Sequence, residues 1–279
     1  MSNEIELPRR GLLASGIALA ALPAEATQIK TPHDGLLAGE VTVPVGGFSM
    51  PAYRAQPART KGKLPVVLLV SEIFGVHEHI ADVARRFAKA GYLCIAPELF
   101  VRQGDAGNQP DVQTLIREVI SKVPDAQVMA DLDACVAWAA ANGGDTKRLA
   151  VTGFCYGGRI TWLYSAHQAA VKAGVAWYGR LVGNISANTP KHPLDLVDQL
   201  HGPVLGLYGG QDTGIPNDTV ARMQNALQAS KNANASRSQF VLYRDAPHAF
   251  HADYRPSYRE TEAKDGWQRC LAWFQRHGV

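Results

Sequence analysis

From about Gly35 onward the chain alternates short apolar runs with stretches in which apolar residues recur at helical spacing. The runs EVTVPV, MPAYRAQ, PVVLLVSE, YLCIAPEL, RLAVTGF, AGVAWYG, PVLGLYGG and QFVLYRD read as strands. The first two alternate apolar with polar positions, which predicts an antiparallel pair at a sheet edge. Ile80, Val83, Ala84, Phe87 and Ala88 form a stripe at helical intervals. The same spacing recurs in DAQVMADLDACVAWAAANGG, in NDTVARMQNALQAS and in the last segment through WQRCLAWFQRHG. This order predicts an α/β chain with a mostly parallel central sheet of about eight strands and helices on both faces. The longest irregular stretch, YGRLVGNISANTPKHPLDLVDQLHG, reads as a loop or short helix near the functional end of the sheet. No internal repeat or low-complexity tract interrupts the pattern.

Composition narrows the picture. With 279 residues, 46% of them hydrophobic, the chain can bury one large core or two modest ones. No second composition regime appears, so residues 40–279 read as one main domain behind a linker at 27–39. The net charge of +3 is spread along the chain, without a basic stripe that would track a phosphate backbone, so nucleic acid is not the expected partner. Residues 1–26 differ from the rest. Arg9 and Arg10, a mildly apolar stretch and Ala24-Glu25-Ala26 resemble a twin-arginine export signal, which implies a periplasmic protein. The alternative is a retained amphipathic arm on a cytoplasmic protein. The stretch is too short for a permanent transmembrane helix, so no stable membrane insertion is expected.

Cys94, Cys135 and Cys270 lie in apolar or helical runs, where free cysteine behaves as a small buried hydrophobe. No disulfide framework is expected. Cys155 differs, because Gly153-Phe154-Cys155-Tyr156-Gly157 fits the G-x-nucleophile-x-G turn between a strand and a helix. Small neighbours let that helix pass close to the strand, and the helix N-terminus favours a thiolate. The competing reading is a buried cysteine at a tight turn.

A thiol nucleophile needs a base and a group that orients the base. On this fold the order along the chain is nucleophile, acid, histidine. Asp212 follows the apolar run of LYGGQDTGIP, and His248 follows the next strand in YRDAPHAFHADYR. Taken alone, Asp212 is equally a turn aspartate bonding its own backbone. His251 is the nearest rival to His248, but only His248 immediately follows the strand-end turn. His77-Glu78-His79 suggests a metal at first sight, yet neighbouring positions on a helix do not face one another, and neither metal nor cofactor is expected.

With these residues in place, the chain resembles the dienelactone hydrolase (carboxymethylenebutenolidase) family of α/β-hydrolases. The resemblance rests on SEIFGVHEHI, APELFVRQG, GFCYGGR, VAWYG, YGGQDTGIP and APHAFHADYR, in that order. It implies Cys155 as nucleophile, His248 as base, Asp212 as orienting acid, and Glu72 as a carboxylate approaching the thiol. The plain alternative for Glu72 is a carboxylate satisfying free amides at a helix start. The fold implies the backbone N–H groups of Ile73 and Tyr156 as oxyanion donors. Arg102 matches one anion-binding arginine of the family. Where the family has a second shortly after the histidine, this chain has Ala249, Phe250, His251 and Ala252, and the nearest arginine is Arg255. Trp177 and Tyr178 sit at a strand end and are candidates to wall the pocket, core packing being an equal reading for Trp177. The implied activity is opening of a small anionic enol-lactone through a thioester, by a monomer or small homo-oligomer. A broader carboxylesterase or thioesterase with the same triad, and a binding protein or thiol redox sensor on the same fold, are the alternatives.

Overall fold

Each expected run forms a strand in the computed structural model, which describes residues 28–279. The segment 1–26, with its expected export signal, lies outside the described residues. The strands are β1 (Leu36–Val45), β2 (Phe48–Pro57), β3 (Leu64–Val70), β4 (Leu93–Pro97), β5 (Gly144–Phe154), β6 (Val171–Trp177), β7 (Val204–Gly209) and β8 (Gln239–Tyr243). They lie in the order β1-β2-β4-β3-β5-β6-β7-β8. As the alternating pattern predicts, β1 and β2 pair antiparallel at the edge. β2 is antiparallel to β4, and the remaining pairs are parallel.

The helices are α1 (Glu78–Lys89), α2 (Val112–Glu118), α3 (Asp125–Ala141), α4 (Tyr156–His167), α5 (Asn217–Ala229), α6 (Ala233–Arg237) and α7 (Glu260–Arg276). The whole stripe Ile80, Val83, Ala84, Phe87 and Ala88 is buried. Phe87 meets Trp267 and Phe274 of α7 at ring-centroid distances of 4.6 and 6.1 Å, so α1 and α7 share one face of the sheet with Val67 and Leu69. On the other face Val66, Leu68 and Val70 pack with Val128, Leu132 and Cys135 of α3 and Ile160 and Leu163 of α4. Period-two alternation along β3 thus feeds both apolar layers. Burying a side chain such as Phe87 or Leu132 contributes roughly 1.5–3 kcal/mol.

One expectation needs correction. The linker at 27–39 is shorter than expected, because β1 starts at Leu36, where it pairs with Pro57, and the Thr31 N–H donates to Asp82 of α1 at 2.5 Å. The helices α2 and α6 escape the apolar pattern, since Leu115 and Ala235 are the residues they bury. The irregular stretch after β6 contains a short 3₁₀ helix, Pro193–Gln199. No helix among the described residues is long and apolar enough to cross a membrane.

Candidate active site

Parallel strands deliver their carboxyl ends, and the loops after them, to one edge of the sheet. The turn from β5 to α4 is the sharpest of these. Cys155 caps α4 with φ of 54°, a left-handed backbone that is rare outside glycine, and its N–H donates to the Trp177 carbonyl at 3.0 Å. The two flanking glycines are needed for the expected reason. A Cβ at Gly153 would lie 2.5 Å from the Gly157 carbonyl oxygen, and one at Gly157 would lie 2.1 Å from that of Val70. The turn leaves Cys155 partly exposed, whereas Cys94, Cys135 and Cys270 are buried free thiols pushed upward in pKa by burial.

Asp212 and His248 come from the loops after β7 and β8 and meet at 2.6 Å between Oδ2 and Nδ1. Asp212 makes both kinds of contact, one with each oxygen. Oδ1 accepts from the N–H groups of Gly214 and Ile215 at 2.9 and 3.1 Å, locking the turn, while Oδ2 takes the histidine. With Nδ1 committed to the carboxylate, Nε2 is the ring nitrogen left for the sulfur. Burial alone would lower His248; hydrogen bonds to Asp212 and to Cys155, with their charges, overcome it and lift the pKa to about 10. The structure therefore brings the three expected residues into one line. His251 stays out of it, sandwiched in the core against Phe154 and Trp177 at 4.8 and 4.7 Å, where burial pushes its pKa far down.

The loop after β3 faces this line. The Gly157 N–H donates to the Ser71 carbonyl at 3.1 Å, tying the start of α4 to the residue before Glu72. At the other end of the loop Glu98 accepts from the Val76 N–H at 3.0 Å, and Gly75, at φ +77°, passes too close to the Glu98 carboxylate for any Cβ. These two bonds fix the loop that carries Glu72 and Ile73 beside the start of α4, whose first residue is Tyr156. Glu72 is buried. Burial favours its neutral form, but His77, with Nε2 3.3 Å from Oε2, and His79 beyond it prevail and hold the carboxyl at about 2.

Tyr178 and Tyr254 complete the wall. Tyr178 packs edge-on against His248 at 5.2 Å, and neither phenol has a hydrogen-bond partner among the described residues. Burial and the nearby Glu72 charge push both phenols upward, keeping them neutral donors. Arg255 lies over Phe74 at 4.9 Å and Tyr254 at 5.3 Å, its Nε buried without a partner. Burial would lower its pKa, but Tyr254, Glu72 and Tyr178 together raise it.

Two expected pocket residues go elsewhere. Arg102 pairs with Asp131 of α3, a fully buried carboxylate, and stacks over Phe48 of β2 at 4.8 Å, so its charge is already committed. Trp177 is core: its Nε1 donates to the Thr152 hydroxyl at 3.2 Å, and its ring fills the space left by Gly266 of α7. Conversely, His77 and Tyr254 belong to the site without having been singled out for it. The signal available was modest: His77 closes the run that begins at Glu72, and Tyr254 adjoins Arg255.

Comparison with known proteins identifies the family. Residues 50–278 match the model of the dienelactone hydrolase family. A "Putative carboxymethylenebutenolidase" of Methylorubrum extorquens is 58% identical over 269 residues, covering 96% of this chain and 91% of the relative. The crystal structure of a "Putative Dienelactone Hydrolase" from Klebsiella pneumoniae superposes with a TM-score of 0.84 at 57% identity, over 87% of this chain and 100% of that one. A Bradyrhizobium protein named "Probable 2-oxo-3-(5-oxofuran-2-ylidene)propanoate lactonase" is 30% identical over 85% of this chain and 93% of its own. The chain belongs to the dienelactone hydrolase family, with the α/β-hydrolase fold and the activity of a carboxylic ester hydrolase.

Proposed function

We propose that the protein opens a small anionic enol-lactone through a Cys155 thioester. The observation that carries this reading is the aligned set in which Asp212 fixes Nδ1 of His248 and His248 contacts the Cys155 sulfur at the head of α4. Attack of the sulfur on the lactone carbonyl forms a C–S bond and an oxyanion, which the N–H groups of Ile73 and Tyr156 stabilise. Collapse breaks the ring C–O bond, and the enolate leaves with the proton held by His248. Acylation removes the sulfur's negative charge, and with it part of what lifts the His248 pKa. The imidazole can then deprotonate water for hydrolysis of the thioester.

The substrate carboxylate goes to Arg255, which has a free Nε beside two free phenols, in place of Arg102. The Bradyrhizobium relative, named for a lactone bearing a propanoate group, supports this substrate class. Removing Arg255 leaves that carboxylate unpaired, at roughly 2–4 kcal/mol. Arg255→Gln is thus expected to lower kcat/KM for anionic lactones by roughly 30- to 1,000-fold, and for neutral p-nitrophenyl esters by less than about fivefold. Arg102→Ala is expected to depress both substrates alike, since it strands Asp131 inside the fold. Selective loss in Arg102→Ala, or equal losses in Arg255→Gln, would return the anion site to Arg102 or reduce the enzyme to a general esterase.

Export is the second part of the proposal, carried by Arg9-Arg10 and Ala24-Glu25-Ala26. Mass spectrometry of the protein from its host is expected to find a chain starting near Thr27, outside the cytoplasm. An intact N-terminus in the cytoplasmic fraction overturns it.

A further inference from the structure

Glu72 and His77 form a contact that the triad does not use. Glu72 is 2% exposed, and neither of its oxygens has an aligned hydrogen-bond donor among the described residues. His77 Nε2 stands 3.3 Å from Oε2, at ion-pair distance but off the line of a hydrogen bond. The His77 ring is set edge-on to Tyr254 at 5.0 Å and stacked on His79 at 6.1 Å; its side chain is 28% exposed, while Nε2 itself is buried against the carboxylate. Other charged groups converge on it. Glu98, from the end of β4, senses its charge. His79 is committed to Asp253 at 3.0 Å, Glu78 is turned away to Arg85, and Arg255 acts on Glu72 from the far side of Tyr254.

The Gly157 N–H bond to the Ser71 carbonyl at 3.1 Å holds the residue before Glu72 against the turn that carries Cys155, with Tyr254 packed on His77 and Tyr178 on His248 beside them. An uncompensated carboxylate there repels a thiolate, whereas a carboxylate neutralised by an adjacent cation does not. We propose that His77 is a positioning residue for Glu72: as imidazolium it neutralises and holds the carboxylate, and on losing its proton it exposes the Cys155 sulfur to that charge. This deepens the nucleophile reading and rests on it. The only bond that breaks is His77 N–H, and the proton leaves to solvent.

The test is the rate of Cys155 alkylation by iodoacetamide in the full chain without substrate, read at the residue by mass spectrometry from about pH 5 to 9. Imidazole is the side chain that changes charge within that range. Wild type is expected to react about tenfold faster than His77→Gln near pH 5.5, and within about twofold of it near pH 8.5. His77→Lys, a permanent cation, is expected to keep the advantage at the higher pH. Parallel profiles for wild type and His77→Gln, or a lysine variant that follows the glutamine one, overturn the proposal. Should His77→Gln fail to fold, Glu72→Gln is expected to abolish the same pH-dependent step, and its persistence there is equally fatal. Turnover by Cys155→Ala separates the two claims. If that variant is active the nucleophile reading falls, and if it is inactive while the profiles stay parallel only the role of His77 falls.

Discussion

Cys155→Ala is expected to lower kcat/KM on lactones and esters by roughly 10⁴-fold or more, with the fold intact. In the proposed mechanism nucleophile and base act as a unit, so losing the sulfur leaves His248 and Asp212 with nothing to activate but water. Water lacks the positioning that the elbow gives the thiol through the Cys155 N–H bond to Trp177. A remnant of rate survives from the N–H groups of Ile73 and Tyr156, which the substitution leaves alone. Unfolding is not expected to follow, because alanine is smaller than cysteine and the side chain is partly exposed. The measurement is steady-state kinetics beside a circular dichroism melt. Activity within tenfold of wild type would remove Cys155 from the chemistry and leave water, activated by His248, as the attacking group.

Gly157→Ala is expected to destabilise the fold by at least about 3 kcal/mol, near the upper end for a single overpacking change. The new Cβ would lie 2.1 Å from the Val70 carbonyl oxygen and 2.8 Å from that of Ser71. Both obstacles are backbone, so no side-chain rotation relieves them. Moving α4 away would break the bond from the Gly157 N–H to Ser71, which fixes the loop bearing Glu72 and Ile73. Turnover is expected to fall together with stability, because the oxyanion donors separate as the helix withdraws. Urea denaturation measures the first effect. A variant as stable as wild type would overturn the close approach of β3 and α4.

The strands were legible because each is an apolar run closed by turn residues, and Cys155, Asp212 and His248 stood out because each follows a strand in a recognisable order. Legibility ended where a residue's role depends on a distant partner. Arg102 reads as a free cation in APELFVRQG, and nothing local reveals that Asp131 of α3 will claim it. Trp177 reads equally as pocket wall or core until Gly266 of α7 leaves a space for its ring. His77 was weighed against its neighbours for a metal, although its partner is Glu72, outside the helix. The helices α2 and α6 are too short to display a period, and each buries a single residue.

The loop that carries Glu72 is fastened at both ends, by Gly157 to Ser71 and by Glu98 to Val76. Its backbone therefore cannot swing to present or withdraw the carboxylate. Any change in where Glu72 points has to be a torsion about its own side-chain bonds. Such a rotation is faster than the microsecond-to-millisecond excursions of a lid. The site is consequently a stiff frame around one adjustable side chain, and moving Glu72 needs no opening or closing of the loop that carries it.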